Sequence, residues 1–138
     1  MAEPTRMTLH ARRWRWMWWA IVLTFVALRG WLHLFPDTDL NIGAYNIHHL
    51  FTGCLLILLG GVPLAVLQGE SRWLDLAAAA FGAGLSMALD EWVFLIATDG
   101  SNRAYLKPVS FWGAATMIGL ACGYALCLRR LKTRQPQP

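Results

Sequence analysis

The chain has few charged residues: they make up 14% of its 138 residues, against 57% hydrophobic residues. A soluble domain carries about 25% charged residues. The scarcity of charge, with a mean hydropathy of +0.41, excludes an ordinary soluble domain and predicts a polytopic membrane protein. The net charge of +4 comes from the chain ends. Because basic flanks are typical of membrane helices, we expect no nucleic-acid partner.

Cysteines are few and follow no metal-binding pattern. Cys54, Cys122 and Cys127 form no Cys-x-x-Cys pair and are odd in number, so neither a disulfide framework nor a thiolate metal site is indicated. The sequence also lacks a Gly-rich phosphate loop, a nucleophile elbow and the His-Glu-x-x-His motif of metalloproteases. The Glu-x-x-His spacing of di-iron bundles is missing as well. No named enzyme chemistry is therefore assigned, and whether the protein is an enzyme stays open.

Long hydrophobic runs dominate the sequence instead. They predict four transmembrane helices, at about residues 16–35, 44–67, 74–97 and 108–128, each long enough to cross a bilayer. The 138 residues are accounted for by these helices and short loops. We therefore predict an all-α polytopic membrane protein, with a single transmembrane domain over residues 1–138 and four helices in an up-down bundle surrounded by lipid.

Basic residues are distributed unevenly between the predicted loops. Nine lie in the termini and in the loop between the second and third helices, whereas the opposite loops hold only Arg103 and Lys107. The positive-inside rule then predicts that both termini are cytoplasmic. Tyr105 is expected in the aromatic belt at the outer interface. In a bacterium, this multi-pass protein would lie in the cytoplasmic (inner) membrane with its outer loops facing the periplasm.

Two adjacent ionisable pairs interrupt the apolar helices. His48 and His49 lie 22 and 21 residues before Glu70, the middle of the connecting loop, and Asp90 and Glu91 lie 20 and 21 residues after it. Residues equally far from the turn of an antiparallel pair lie at the same depth, because both helices rise equally per residue. Ionisable groups at bilayer depth cost roughly 2.5–3.5 kcal/mol each and persist mainly when paired or functional. The four side chains therefore predict one site, toward the outer, periplasmic side.

The first predicted helix adds Arg29 and His33 at a similar depth. The two residues are four apart, so they share a helix face. Arg29 is expected to pair with a carboxylate or to steady an anionic substrate, and His33 to join the ligand set. Of the acids, Asp90 is expected to orient an imidazole or to pair with Arg29, and Glu91 to be the ligand or proton-handling group.

Three functions fit this group of residues. The first is a membrane metalloenzyme or redox protein that acts on a lipid-soluble or periplasmic small molecule through a divalent metal (Zn, Fe, Mn or Cu). Its metal ligands would be His48, His49, Asp90, Glu91 and His33, with Arg29 and Gly53 around them. The second is a small transporter or proton-coupled carrier acting as a homo-oligomer, although the apolar inner half argues against a conducting path. The third is a structural or assembly subunit of a larger membrane complex, in which Arg29 neutralises one carboxylate and the histidines bind the other.

The segment from His48-His49 to Gly53, followed later by Asp90-Glu91, resembles a family of small uncharacterised four-helix integral membrane proteins of bacteria and archaea. These proteins share a His-His-x-x-x-Gly segment and a later Asp-Glu at a helix end. The resemblance covers the two central helices. It implies that these positions form one site in which Gly53 provides room, and it implies no activity.

Overall fold

A computed structural model describes residues 6–36, 41–42, 45–46 and 48–134, with side chains over 11–36, 48–101 and 103–131. The elements are α1 (Arg6–Leu34), β1 (Asn41–Ile42), β2 (Tyr45–Asn46), α2 (His49–Val66), α3 (Arg72–Ala97), α4 (Asn102–Tyr105) and α5 (Pro108–Arg134). The two-residue strands β1 and β2 pair antiparallel. Within the described residues, four helices are long and apolar enough to cross a membrane: α1, α2, α3 and α5. The predicted helical class with four membrane-length helices is confirmed.

The start of α2 differs from the prediction. The helix begins at His49, whereas the apolar pattern predicted a start near residue 44. Residues 45 and 46 belong to β2, and residues 43, 44 and 47 lie outside the described residues. The helix start is set by α3, because the Glu91 carboxylate accepts a hydrogen bond from the Leu50 backbone N–H at 2.8 Å. A carboxylate from another helix thus caps the N–H groups that the first turn leaves unpaired.

The helix α3 lies at the centre of the bundle and contacts α1, α2 and α5. Small residues allow these close approaches. Gly82 lies against the Met17 carbonyl of α1, and Gly84 lies against the Gly53 carbonyl of α2. A Cβ atom at Gly53 would come within 2.8 Å of the Gly84 carbonyl oxygen. The role of Gly53 is therefore to let α2 pack closely on α3, one turn away from His49.

The link between α3 and α5 holds the short helix α4 against the bundle. The exposed Asp99 carboxylate accepts hydrogen bonds from the Ser101 N–H and hydroxyl at 3.1 and 2.8 Å, which hold the pKa of Asp99 below its usual value. Gly100 adopts a φ of 72°, which suits glycine, and Ser101 caps α4. This turn directs Tyr105 into a small core with Phe94, Ala104 and Leu32.

Candidate functional site

The structure brings the two histidines and the two acids together at one level of the bundle. His48 precedes α2 and His49 begins it, while Asp90 and Glu91 lie two turns before the end of α3. Asp90 is completely buried and Glu91 is 2% exposed. The imidazoles are more accessible, with side-chain exposures of 29% for His48 and 17% for His49. The carboxylates thus form the inner part of the site and the histidines its outer edge.

Asp90 is held by three side chains from three different elements. Its Oδ1 atom lies 2.7 Å from Arg29 Nε of α1. Its Oδ2 atom lies 3.1 Å from His49 Nε2 of α2 and accepts a hydrogen bond from the Tyr105 hydroxyl of α4. Both carboxylate oxygens are therefore fully engaged. The alternative roles predicted for Asp90, pairing with Arg29 and orienting an imidazole, are both present.

The Arg29 guanidinium extends these contacts to α5. Beyond Asp90, it donates to the Tyr105 carbonyl at 3.1 Å and to the Ser110 carbonyl and hydroxyl, each at 3.2 Å. Its carbon Cζ lies 4.1 Å from the centroid of the Tyr105 ring, a cation–π distance. One buried cation thereby connects α1 with α3, α4 and α5. Its planar set of N–H donors suits this task better than a lysine ammonium would.

Glu91 serves both histidines and the backbone of α2. Its Oε1 atom lies 3.1 Å from His48 Nδ1 and 3.1 Å from His49 Nδ1, and its Oε2 atom accepts the Leu50 N–H. The carboxylate also places a negative charge at the positive end of the α2 dipole. Glu91 is therefore as fully paired as Asp90.

The His49 ring bridges the two carboxylates. Its Nε2 atom lies 3.1 Å from Asp90 Oδ2 and its Nδ1 atom lies 3.1 Å from Glu91 Oε1. A neutral imidazole carries only one N–H, and the contact between Nε2 and Asp90 has the geometry of a hydrogen bond. The contact between Nδ1 and Glu91 is at ion-pair distance and becomes a charge pair when the ring is protonated.

Tyr105 belongs to the site although the sequence placed it in the outer aromatic belt. It is 5% exposed and contacts the His49 ring edge-on, with centroids 5.7 Å apart. Burial raises the pKa of its phenol, and the neighbouring Asp90 charge raises it further, so the hydroxyl keeps its proton and donates. We call Arg29, His48, His49, Asp90, Glu91 and Tyr105 the polar cluster.

His33 is not brought into the polar cluster. Its side chain is exposed, and no hydrogen bond or ion pair joins it to the cluster within the described residues. The inward face of α1 at this level passes through Arg29, which contacts Asp90, and Leu32, which packs against the Phe94 core. Adjacent residues on a helix point about 100° apart, so His33 lies on the side of Arg29 that is away from Leu32, at the exposed edge of that face.

The oxygen and nitrogen atoms of the polar cluster that could ligate a metal already contact one another, which leaves few of them available for metal binding. Each carboxylate oxygen already accepts a hydrogen bond, and the Arg29 cation lies where a metal would supply positive charge. Over the part of the chain that the structure describes, no group of three or more His, Cys, Asp or Glu side chains is arranged to hold a metal ion. Metal binding by His48, His49, Asp90 and Glu91 stays a prediction that this geometry does not favour.

No family model, curated protein or solved structure matches this chain. The resemblance carried by the His-His-x-x-x-Gly and Asp-Glu motifs therefore stays a prediction.

Proposed function

We propose that this chain is a multi-pass membrane protein whose polar cluster is a proton-binding site near the outer end of the bundle. The observation that carries the proposal is the position of His49, with both ring nitrogens 3.1 Å from carboxylate oxygens. A proton held on this ring balances the charge of the polar cluster. Losing it would leave the cluster with one net negative charge, which is costly in a buried site.

The order of helix contacts supports an up-down arrangement. Along α2, Gly60 lies against Ala77 of α3, and Gly53 against Gly84, so the contacts on these two helices run in opposite directions. Gly113 near the start of α5 lies against Val93 near the end of α3, which indicates the same for α3 and α5. The proposed orientation, with both termini in the cytoplasm, rests on the asymmetry of basic residues.

Two ion pairs bracket the apolar part of the bundle. Arg12 pairs with Asp75 near the starts of α1 and α3, and Arg29 pairs with Asp90 near their ends. At about 1.5 Å per residue, the fifteen positions from Asp75 to Asp90 span roughly 22 Å. Since the hydrocarbon core is about 30 Å thick, each pair would lie a few ångströms inside its edge. The polar cluster would then be within reach of water through the partly exposed His48.

The proposed topology predicts a labelling pattern. In a variant without the native cysteines, S101C in the loop before α4 should react with a membrane-impermeant thiol reagent in intact cells. T133C near the end of α5 should react only after the membrane is opened. The reverse pattern would put the polar cluster on the cytoplasmic side and contradict the proposed localisation.

The proton-binding role predicts distinct protonation states for the two histidines. In the full chain labelled with ¹⁵N-histidine and held in lipid nanodiscs, both His49 ring nitrogens should show the shifts of protonated nitrogens at neutral pH. His48 should be a neutral ring protonated at Nδ1, the atom that faces Glu91. H48Q and H49Q variants assign the signals, and the exposed His33 is the matched control. A His49 ring with one bare nitrogen at neutral pH would contradict the proposal.

Metal analysis of the same preparation separates this role from the metal hypothesis. We expect no stoichiometric Zn, Fe, Mn or Cu after purification in mild detergent. One bound metal per chain that disappears in the H48Q/H49Q double variant, but remains in an H33Q control, would favour the metal site instead.

A further inference from the structure

Asp75 forms a second buried ionic group, at the opposite end of α1 and α3 from the polar cluster. It is 8% exposed and lies in the first turn of α3. Arg12 Nε lies 2.9 Å from its Oδ2 atom, and Arg13 Nε lies 4.0 Å from its Oδ1 atom. Arg13 also donates to the Gly69 carbonyl in the loop between α2 and α3. Two guanidinium groups thus share one carboxylate, so this group keeps a net positive charge, in contrast to the balanced polar cluster.

Hydrogen bonding at this second group is incomplete. The Nε atoms of Arg12 and Arg13 and the Oδ1 atom of Asp75 are buried without a hydrogen-bond partner of good geometry among the described residues. Buried polar atoms in proteins are nearly always paired. The Arg12 side chain is nevertheless 39% exposed, so part of its guanidinium faces outward. The group therefore has an excess of cationic charge and an accessible guanidinium at Arg12, which together suit an anionic acceptor.

The surroundings of this group are basic and rich in tryptophan. Arg129 of α5 lies over the Trp14 ring, 5.6 Å from its centroid, and so adds a cation at the same end. Exposed tryptophans surround this end of the bundle: Trp16, Trp19 and Trp73. Tryptophan is enriched at the level of lipid headgroups. In a membrane, lipid headgroups would be the molecules that contact this surface.

We propose that Arg12 and Arg13 bind the phosphate of an anionic phospholipid headgroup. A phosphodiester brings one negative charge, which offsets the excess of two guanidinium groups over the single Asp75 carboxylate. Guanidinium donors match the geometry of phosphate oxygens, and basic residues at the interface attract anionic lipids. This inference concerns the other end of the bundle and does not depend on the proton-binding role of the polar cluster.

The test uses the full chain in detergent micelles, with bound lipid counted by native mass spectrometry. Dioleoyl phosphatidylglycerol should bind in preference to dioleoyl phosphatidylcholine. The triple variant R12Q/R13Q/D75N removes both cations without stranding the buried carboxylate, and it should bind phosphatidylglycerol more weakly by on the order of tenfold. The single variant D75N should bind at least as tightly as the unmodified chain, since it leaves both arginines without their acid. R72Q, at an exposed arginine of the same end, is the control for net charge.

The outcomes distinguish a lipid site from diffuse surface charge and from a site for free phosphate. Equal binding of both lipids, or an equal loss of phosphatidylglycerol in R72Q and in the triple variant, would overturn the proposal, because only diffuse charge would then be acting. Inorganic phosphate at millimolar concentration is the competing probe. If inorganic phosphate displaces phosphatidylglycerol completely, the site binds free phosphate and its assignment to a lipid is wrong. If phosphatidylglycerol stays bound, the result supports a site for the lipid headgroup.

Discussion

Replacing Asp90 by asparagine should destabilise the folded protein by about 3–5 kcal/mol, the usual cost of removing one partner of a buried ion pair. Asp90 is completely buried and its partner Arg29 has a side-chain exposure of only 11%, so solvent does little to screen the charge that is left. The free energy of unfolding in mixed micelles, titrated with a denaturing detergent, is the measurement. The side-chain amide of asparagine also places an NH₂ group, a donor, where the carboxylate had an acceptor oxygen facing the surrounding donors.

Adding Arg29→Met to Asp90→Asn should restore part of this loss. The second change removes the stranded cation and leaves an apolar side chain of similar length to contact Tyr105. Arg103→Met is the matched control, since Arg103 is exposed in α4, and exposed substitutions usually stay within about 0.5 kcal/mol. A double variant less stable than Asp90→Asn alone would show that Arg29 stabilises the bundle through Tyr105 and Ser110 rather than through Asp90.

The level of a residue along the helix bundle could be predicted from the sequence, because it depends only on the rise per residue. Counting from Glu70 placed His48 and His49 level with Asp90 and Glu91, and the structure brings these side chains within hydrogen-bonding distance. Gly53 follows His49 by four residues, and it lies in the contact between α2 and α3. The rise per residue and the spacing of residues are properties of a single helix, so both can be calculated from positions in the sequence.

Rotation about the helix axis and the path of loops could not be predicted in this way. His33 shares a face with Arg29 by spacing, but a rotation of α1 by a few tens of degrees decides whether its ring points inward. Tyr105 and Ser110 follow a turn whose direction depends on Gly100 and on the Ser101 cap. The sequence marked Tyr105 only as an aromatic residue in a short loop before Pro108, and such a residue is equally typical of an interfacial belt. It gave no signal for Ser110.

The same limit applies to Glu91. The sequence predicts a ligand or proton-handling role for Glu91 and a structural role for Asp90. The structure shows two equally buried carboxylates, and Glu91 also caps α2 through Leu50. A substitution of Glu91 is therefore expected to affect stability as well as proton binding.

Replacing Glu91 by glutamine should cost about 3 kcal/mol, because a protonated His49, as the proposed function requires, loses one of its two counter-charges in a buried site. Glutamine keeps an oxygen that can accept the Leu50 N–H, so the cap on α2 should survive. Glu91→Leu removes the cap as well and should cost a further 0.5–2 kcal/mol or so. Amide hydrogen exchange at Leu50 distinguishes the two variants: fast exchange is expected in Glu91→Leu and slow exchange in Glu91→Gln.

Rescue by a second substitution then identifies the partner of each acid. His49→Gln should restore part of the stability lost in Glu91→Gln, since it removes the charge left without its partner. Arg29→Met should add its own cost to Glu91→Gln, because Arg29 makes its contacts with Asp90, Tyr105 and Ser110. Double-mutant cycles of the unfolding free energy measure both couplings. If Arg29→Met rescued Glu91→Gln as well as it rescues Asp90→Asn, Arg29 would stabilise both acids equally. The separate pairing of Arg29 with Asp90 and of His49 with Glu91 would then be wrong.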